Sequence, residues 1–154
     1  MKEVVMFVCF FAFVQGIFRY GVPSQNKINK TEQFLRQLKR HQMDCIELTK
    51  VDPDMILKLK AGYWNLNSST LKLWTLCVLN KMGIMSTEGV FKLDEALSTI
   101  PNEDKEYAEK IIDECLTPKA LPPQEIAWSY IKCHHRMDKY HNYTTLSILE
   151  PRFT

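Results

Sequence analysis

Five cysteines and four histidines hold most of the chemistry that this chain of 154 residues could perform. Cys9 stands apart near the start, while Cys45, Cys77, Cys115 and Cys133 follow with 31, 37 and 17 residues between them. Four thiols in a small chain suggest two disulfides in an oxidising compartment, and arithmetic alone leaves three pairings open. Zinc is poorly served, because no two of the four are two to four residues apart. His134, Asp138 and His141 fall on one side of a helix at i, i+4 and i+7, a spacing that could hold a metal or form a pH-sensitive patch; a solvated polar face is the reading favoured here. His41 differs, since it lies between Phe34 and Cys45 on the apolar side of an earlier helix, where partial burial would let its protonation loosen the fold at lower pH. It is the candidate pH-sensitive residue. No Gly-x-Ser-x-Gly, Walker loop or His-Glu-x-x-His occurs, so neither a metal nor a cofactor is expected and the chain does not read as an enzyme.

The background is that of one ordinary globular domain, with 45% hydrophobic and 25% charged residues, five Gly and seven Pro. Twenty basic against eighteen acidic residues leave a charge of +2, which supplies no electrostatic reason to expect a nucleic-acid partner. Residues 1–16 are expected to be a secretory signal peptide: Lys2 precedes an unbroken apolar run of eleven residues, Val4 to Val14, and Val14 and Gly16 are small residues before a cut after Gly16. That run is too short to span a bilayer, which takes about 20 residues. Cleavage removes Cys9 and leaves an even set of cysteines on a secreted, extracellular chain from residue 17 to 154.

From Thr31 onward the pattern is helical throughout, after an irregular stretch from 17 to 30. Asn29 or Thr31 can cap a first helix with the stripe Phe34, Leu35, Leu38, Cys45 and Ile46, ending near Thr49. Asp52 and Pro53 open a second that stops at Gly62. Ser69 or Thr70 starts a third, closed by Gly83, whose apolar residues point almost all round, so it is expected to be central. Asp94 to Ile100 is a short fourth, ended by Pro101. Asn102 caps a fifth to about Leu116, with Tyr107, Ala108, Ile111, Ile112 and Cys115 on its buried face. Pro122 and Pro123 launch a sixth from Gln124 to about His141, sandwiched in its first half where Ala127, Trp128 and Ile131 lie opposite Ile126, Tyr130 and Cys133. The expectation is an all-α domain of six short helices, its core over about 31–141, followed by a tail over 142–154. Two cross-links of these loop lengths would each add roughly 3 to 4 kcal/mol.

The triple cysteine spacing, and the stretch CVLNKMGIMSTEGVFKLDEAL from Cys77, resemble the insect odorant-binding (pheromone-binding) proteins, in the subgroup that has four of the usual six cysteines. The likeness runs from about Thr31 to His141. It implies the pairs Cys45 with Cys77 and Cys115 with Cys133, and it places the two missing cysteines at Leu73 and Gln124. A third cross-link between helices three and six is therefore lacking. Leu73 is expected to fill that space by packing, Gln124 needs a polar partner or solvent, and this side is expected to open more readily than in six-cysteine relatives.

Without the resemblance, so many apolar residues would read as a solid core; with it, an internal apolar pocket for small hydrophobic ligands becomes the leading reading. The residues expected to line it are Leu38, Met55, Leu59, Leu73, Trp74, Leu97, Ile111, Ile112, Trp128 and Ile131. Met55 adds an adaptable thioether, and Trp74, Trp128 and Tyr130 offer ring faces or one directional hydrogen bond. Burying about a dozen methylenes yields about 10 kcal/mol before ordering costs, which leaves room for roughly micromolar affinity. Leu149 and Phe153 could fold over the opening, and protonation of His41 could release ligand. The implied partners are a small hydrophobic ligand and a membrane chemoreceptor, for a monomer or weak homodimer. Sequons stand at Asn29, Asn67 and Asn142, Asn67 being the best exposed. Two other classes compete. CHHRMDKYHNY is superficially similar to the Cys, His and Asp helix of secreted phospholipases A2, but no glycine-rich calcium loop precedes it. A secreted helical signalling or interaction protein is the alternative, although four-helix cytokines have longer helices.

Overall fold

Local signals set most of the helix ends seen in the computed structural model, which describes residues 25–98, 100–116, 120–137 and 149, with side chains from Glu32 onward. The chain divides into two units, Met1–Glu32 and Gln33–Thr154. The first contributes the opening turns of α1 (Gln25–Thr49). That helix starts earlier than the expected Thr31, and no Gly or Pro interrupts the segment from Gln25 to Thr49. The signal-peptide region lies outside the described residues.

In the second unit, the Asp52 carboxylate accepts a hydrogen bond from the Asp54 backbone N–H at 3.0 Å and starts α2 (Pro53–Lys60). Gly62 follows its end at φ +95°, its N–H donating to the Leu59 carbonyl at 3.0 Å. Ser68, one residue ahead of the expected cap, accepts from the Leu71 N–H and opens α3 (Ser69–Lys81). The remaining helices are α4 (Leu93–Ser98), α5 (Lys105–Cys115) and α6 (Pro123–Met137), with one 3₁₀ turn over Asn102–Asp104 where the fifth helix was expected to begin. Helix four ends two residues short of the expected Ile100. Among the described residues there is no strand, only a single antiparallel bridge between Met85 and Phe91.

The domain is all-α, as its pattern implied, and it is organised around α3 and α6, which pack on each other more extensively than any other pair; α5 in turn packs on α6 and on α4. Leu71, Trp74, Thr75, Val78 and Leu79 of α3 are all buried, and Thr75 satisfies its hydroxyl by donating to the Leu71 carbonyl at 3.0 Å. On α5, Ala108, Ile111, Ile112 and Cys115 are buried while Glu106, Glu109, Lys110 and Asp113 face solvent. The start of α6 is enclosed, with Ala127, Trp128, Tyr130 and Ile131 all buried.

Two disulfides tie these helices together with the pairing that the family resemblance implied: Cys45 to Cys77, joining α1 to α3, and Cys115 to Cys133, joining α5 to α6. Their Cα separations, 5.8 and 5.4 Å, fit the usual bridge geometry. The loop between α3 and α4 is pinned at Gly89. This residue has φ +82°, and a Cβ there would stand 3.0 Å from the Pro123 Cα and 3.2 Å from the Ile126 Cδ1. Only glycine meets both the conformation and the close approach to the start of α6.

Candidate ligand-binding site

Seven of the ten expected lining residues are interior. Leu38 of α1, Leu59 of α2 and Trp74 of α3 are at most 1% exposed. Ile111 and Ile112 of α5, with Trp128 and Ile131 of α6, complete this buried set. Met55 and Leu97 are half-buried and pack against the same core.

Leu73 departs from expectation. It is 42% exposed, on the outward side of α3, and so does not fill the space assigned to it between α3 and α6. The reason is rotational: the buried face of α3 is fixed by Leu71, Trp74, Thr75 and Val78, and position 73 points away from it. The neighbouring Lys72 and Glu125 connect these two helices instead, through an ion pair of 2.8 Å with side-chain exposures of 15% and 36%. Each stands next to a position of the missing cross-link, Leu73 or Gln124, and Gln124 itself is half-buried.

Several polar groups of the interior find partners within the protein. The Trp74 indole N–H donates to the Gln42 carbonyl at 3.2 Å, and Lys60 donates to the buried Gln42 side chain at 3.4 Å. Asn80 donates to the Met85 carbonyl at 3.0 Å and holds the turn after α3. Trp64 lies between Trp128, at 6.2 Å between ring centroids, and His135, at 4.1 Å, forming a stacked group to which Lys132 adds its ammonium 5.8 Å from the Trp128 ring. On the opposite flank of α6, Phe91 packs on Tyr130 at 4.8 Å.

Two histidines have covered ring nitrogens without a hydrogen-bond partner. His41 is half-buried, and both its nitrogens are of this kind. Burial, then the Lys81 ammonium, pull its pKa below the ordinary 6.5, while Asp44 opposes and Arg40 adds to the fall. The larger effect belongs to His134, 2% exposed, whose Nε2 is covered and unmatched. Burial, followed by the neighbouring His135, pushes its pKa down to about 4. Leaving such an atom unpaired costs about 1–3 kcal/mol.

His134 thus corrects the reading of a solvated polar row with Asp138 and His141; those two residues lie outside the described set. The signal was present in the spacing, for position 134 follows Ile131, Tyr130 and Ala127 at i+3, i+4 and i+7 and so continues the buried stripe. Trp64 and Phe91 were also missed, because both lie outside helices where periodicity carries no information. In the tail, Leu149 is half-buried against the core, whereas Phe153 is outside the described residues. Asn67 is exposed just ahead of α3, as its sequon requires; Asn29 falls within α1 and Asn142 is not described. Among the described residues no three His, Cys, Asp or Glu side chains are grouped so as to hold a metal ion, and no helix is long and apolar enough to cross a membrane.

An apolar interior enclosed by helices from across the domain, with a few unpaired polar atoms, has the composition of a site for a small hydrophobic molecule. Residues 28–137 match the PBP/GOBP family. General odorant-binding protein 69a of Drosophila melanogaster is 20% identical over 113 residues, covering 73% of this chain and 76% of that protein. The medfly odorant-binding protein CcapOBP22/CcapOBP69a superposes with a TM-score of 0.57 at 25% identity, over 66% of this chain and 87% of the other. The fatty acid binding protein OBP56a from the oral disk of the blowfly Phormia regina does so with a TM-score of 0.59 at 20% identity, over 69% and 92% respectively.

Proposed function

The chain belongs to the PBP/GOBP family, and on that premise we propose that it is an extracellular carrier that takes up odorants, pheromones or related lipophiles in an internal apolar cavity among α1, α2, α3, α5 and α6. The single observation behind the cavity is the convergence of seven of the ten expected lining residues on one buried core, with adaptable Met55 and Leu97 at its edge. Transfer of the ligand's apolar surface supplies the affinity, and no bond is made or broken. The blowfly relative named as a fatty acid binding protein supports an aliphatic chain as one kind of occupant. Secretion by the signal peptide of residues 1–16 and delivery to a membrane chemoreceptor, by a monomer or weak homodimer, are part of the same reading.

The test is titration of the disulfide-intact mature protein with an environment-sensitive apolar fluorophore, followed by displacement with fatty alcohols, acids, esters and terpenoids. Saturable one-site binding, displaced by some members and not by others, is the expected result. Absence of saturable binding overturns the carrier reading in favour of a secreted signalling or interaction protein.

A further inference from the structure

A carrier's apolar walls select for length and shape, and a polar atom among them selects for a head group. One such atom is on His134. Its ring lies on the buried face of α6 near the C-terminal end of the helix, where Ala127, Tyr130 and Ile131 precede it by one or two turns. His134 is 2% exposed, its Nε2 is covered, and among the described residues no group hydrogen-bonds to that atom. Tyr130, at 5.8 Å between centroids and tilted by 44°, is its ring neighbour. Trp64 carries a further covered ring nitrogen, its indole Nε1, but it is only half-buried and lies on the exposed His135.

We propose that Nε2 of His134 is the polar anchor of the ligand site, and that the ligand class it selects is an aliphatic chain ending in a single neutral hydroxyl. This rests on the carrier reading above. Burial keeps the imidazole neutral at pH 7, with its pKa pushed down to about 4, so Nε2 is either a neutral acceptor or a neutral donor according to tautomer. A hydroxyl both donates and accepts and therefore complements either form. A hydrocarbon or halide end leaves the nitrogen unmatched. A carboxylate would favour an imidazolium opposite it, which burial and the adjacent His135 both oppose.

The test uses the disulfide-intact protein, with N-phenyl-1-naphthylamine as fluorescent probe and decan-1-ol and 1-chlorodecane as competitors of matched chain length. The preference of the wild type for the alcohol over the chloride should fall about fivefold in His134→Phe, the ratio set by one neutral hydrogen bond; reading the two competitors as a ratio cancels any change in the probe's own affinity. His134→Gln, which restores a donor and an acceptor, should recover part of the preference. An unchanged preference in His134→Phe overturns the proposal. Imidazole ¹⁵N spectra of the wild type give an arm that does not depend on the variant folding: the His134 Nε2 resonance should move on addition of decan-1-ol and not of 1-chlorodecane, and an unmoved resonance at saturating alcohol overturns the proposal. Failure of the wild type to bind the probe or either competitor removes the carrier reading itself; probe binding with an unmoved resonance removes only the anchor.

Discussion

Replacing Lys72 by Met should loosen the seam between α3 and α6, which neither disulfide crosses. At 2.8 Å the Lys72–Glu125 pair has a Coulomb attraction of about 1.5 kcal/mol in bulk water and about 6 kcal/mol at an effective dielectric of about 20. Partial desolvation, side-chain ordering and solvent screening at the half-open Glu125 oppose it, leaving a net coupling of about 1 kcal/mol. A disulfide between positions 73 and 124, closing a loop of about fifty residues, would contribute about 4 kcal/mol on the chain-entropy estimate. The ion pair therefore holds the seam with roughly a quarter of that strength. The assay is a double-mutant cycle of Lys72→Met, Glu125→Gln and the pair, followed by urea unfolding at low salt and again in 1 M NaCl. We expect a coupling of about 1 kcal/mol that falls by half or more at about 1 M, where screening acts within about 3 Å. Amide exchange at the start of α6 should also quicken in Lys72→Met. A coupling below about 0.3 kcal/mol, or one indifferent to salt, would refute the reasoning and leave the seam to apolar contacts alone.

Gly89→Ala should cost about 2 kcal/mol, from the strain of a side chain at φ +82° together with a Cβ placed 3.0 Å from the Pro123 backbone; an unchanged melting temperature would contradict this. Stability should also depend on the protonation of His134. Its pKa is about 4 in the folded chain against an ordinary 6.5, so between these values the unfolded chain binds a proton that the folded chain resists. Stability is thus unaffected by this group above about pH 6.5 and falls as the pH drops toward about 4, by about 3 kcal/mol in all. The lowered pKa of His41 acts in the same direction. Urea midpoints measured from pH 7 to pH 4.5 should decline less steeply in His134→Gln than in the wild type, and parallel curves would show that His134 does not carry the effect.

The fold was legible because its determinants are local. Asp52 with Pro53, Gly62 and Gly83 mark helix ends through backbone geometry that does not depend on what the helix touches, and the stripe on α5 states directly which face is buried. Helices α1 and α4 kept their identity but not their limits, since the start of α1 follows from the absence of a breaker rather than from a cap. The disulfide pairing was different. Spacing left three pairings open, a family likeness chose one, and the proximity of Cys45 to Cys77 and of Cys115 to Cys133 gives it physical form.

The sequence by itself determined that this is an all-helical domain, where its turns fall, and which apolar residues were available for an interior. Tertiary structure alone decided which of them enter it. Leu73 and Trp74 are adjacent and both apolar, yet one is 42% exposed and the other fully buried, because α3 is apolar nearly all round and only its partner α6 selects the inward face. His134 shows the converse. A polar side chain is drawn inside because its place on the stripe of Ala127, Tyr130 and Ile131 outweighs its own preference for water, and no local signal could weigh those terms against each other. Only the assembled helices set the balance between hydrophobic burial of a whole face and the desolvation of one ring.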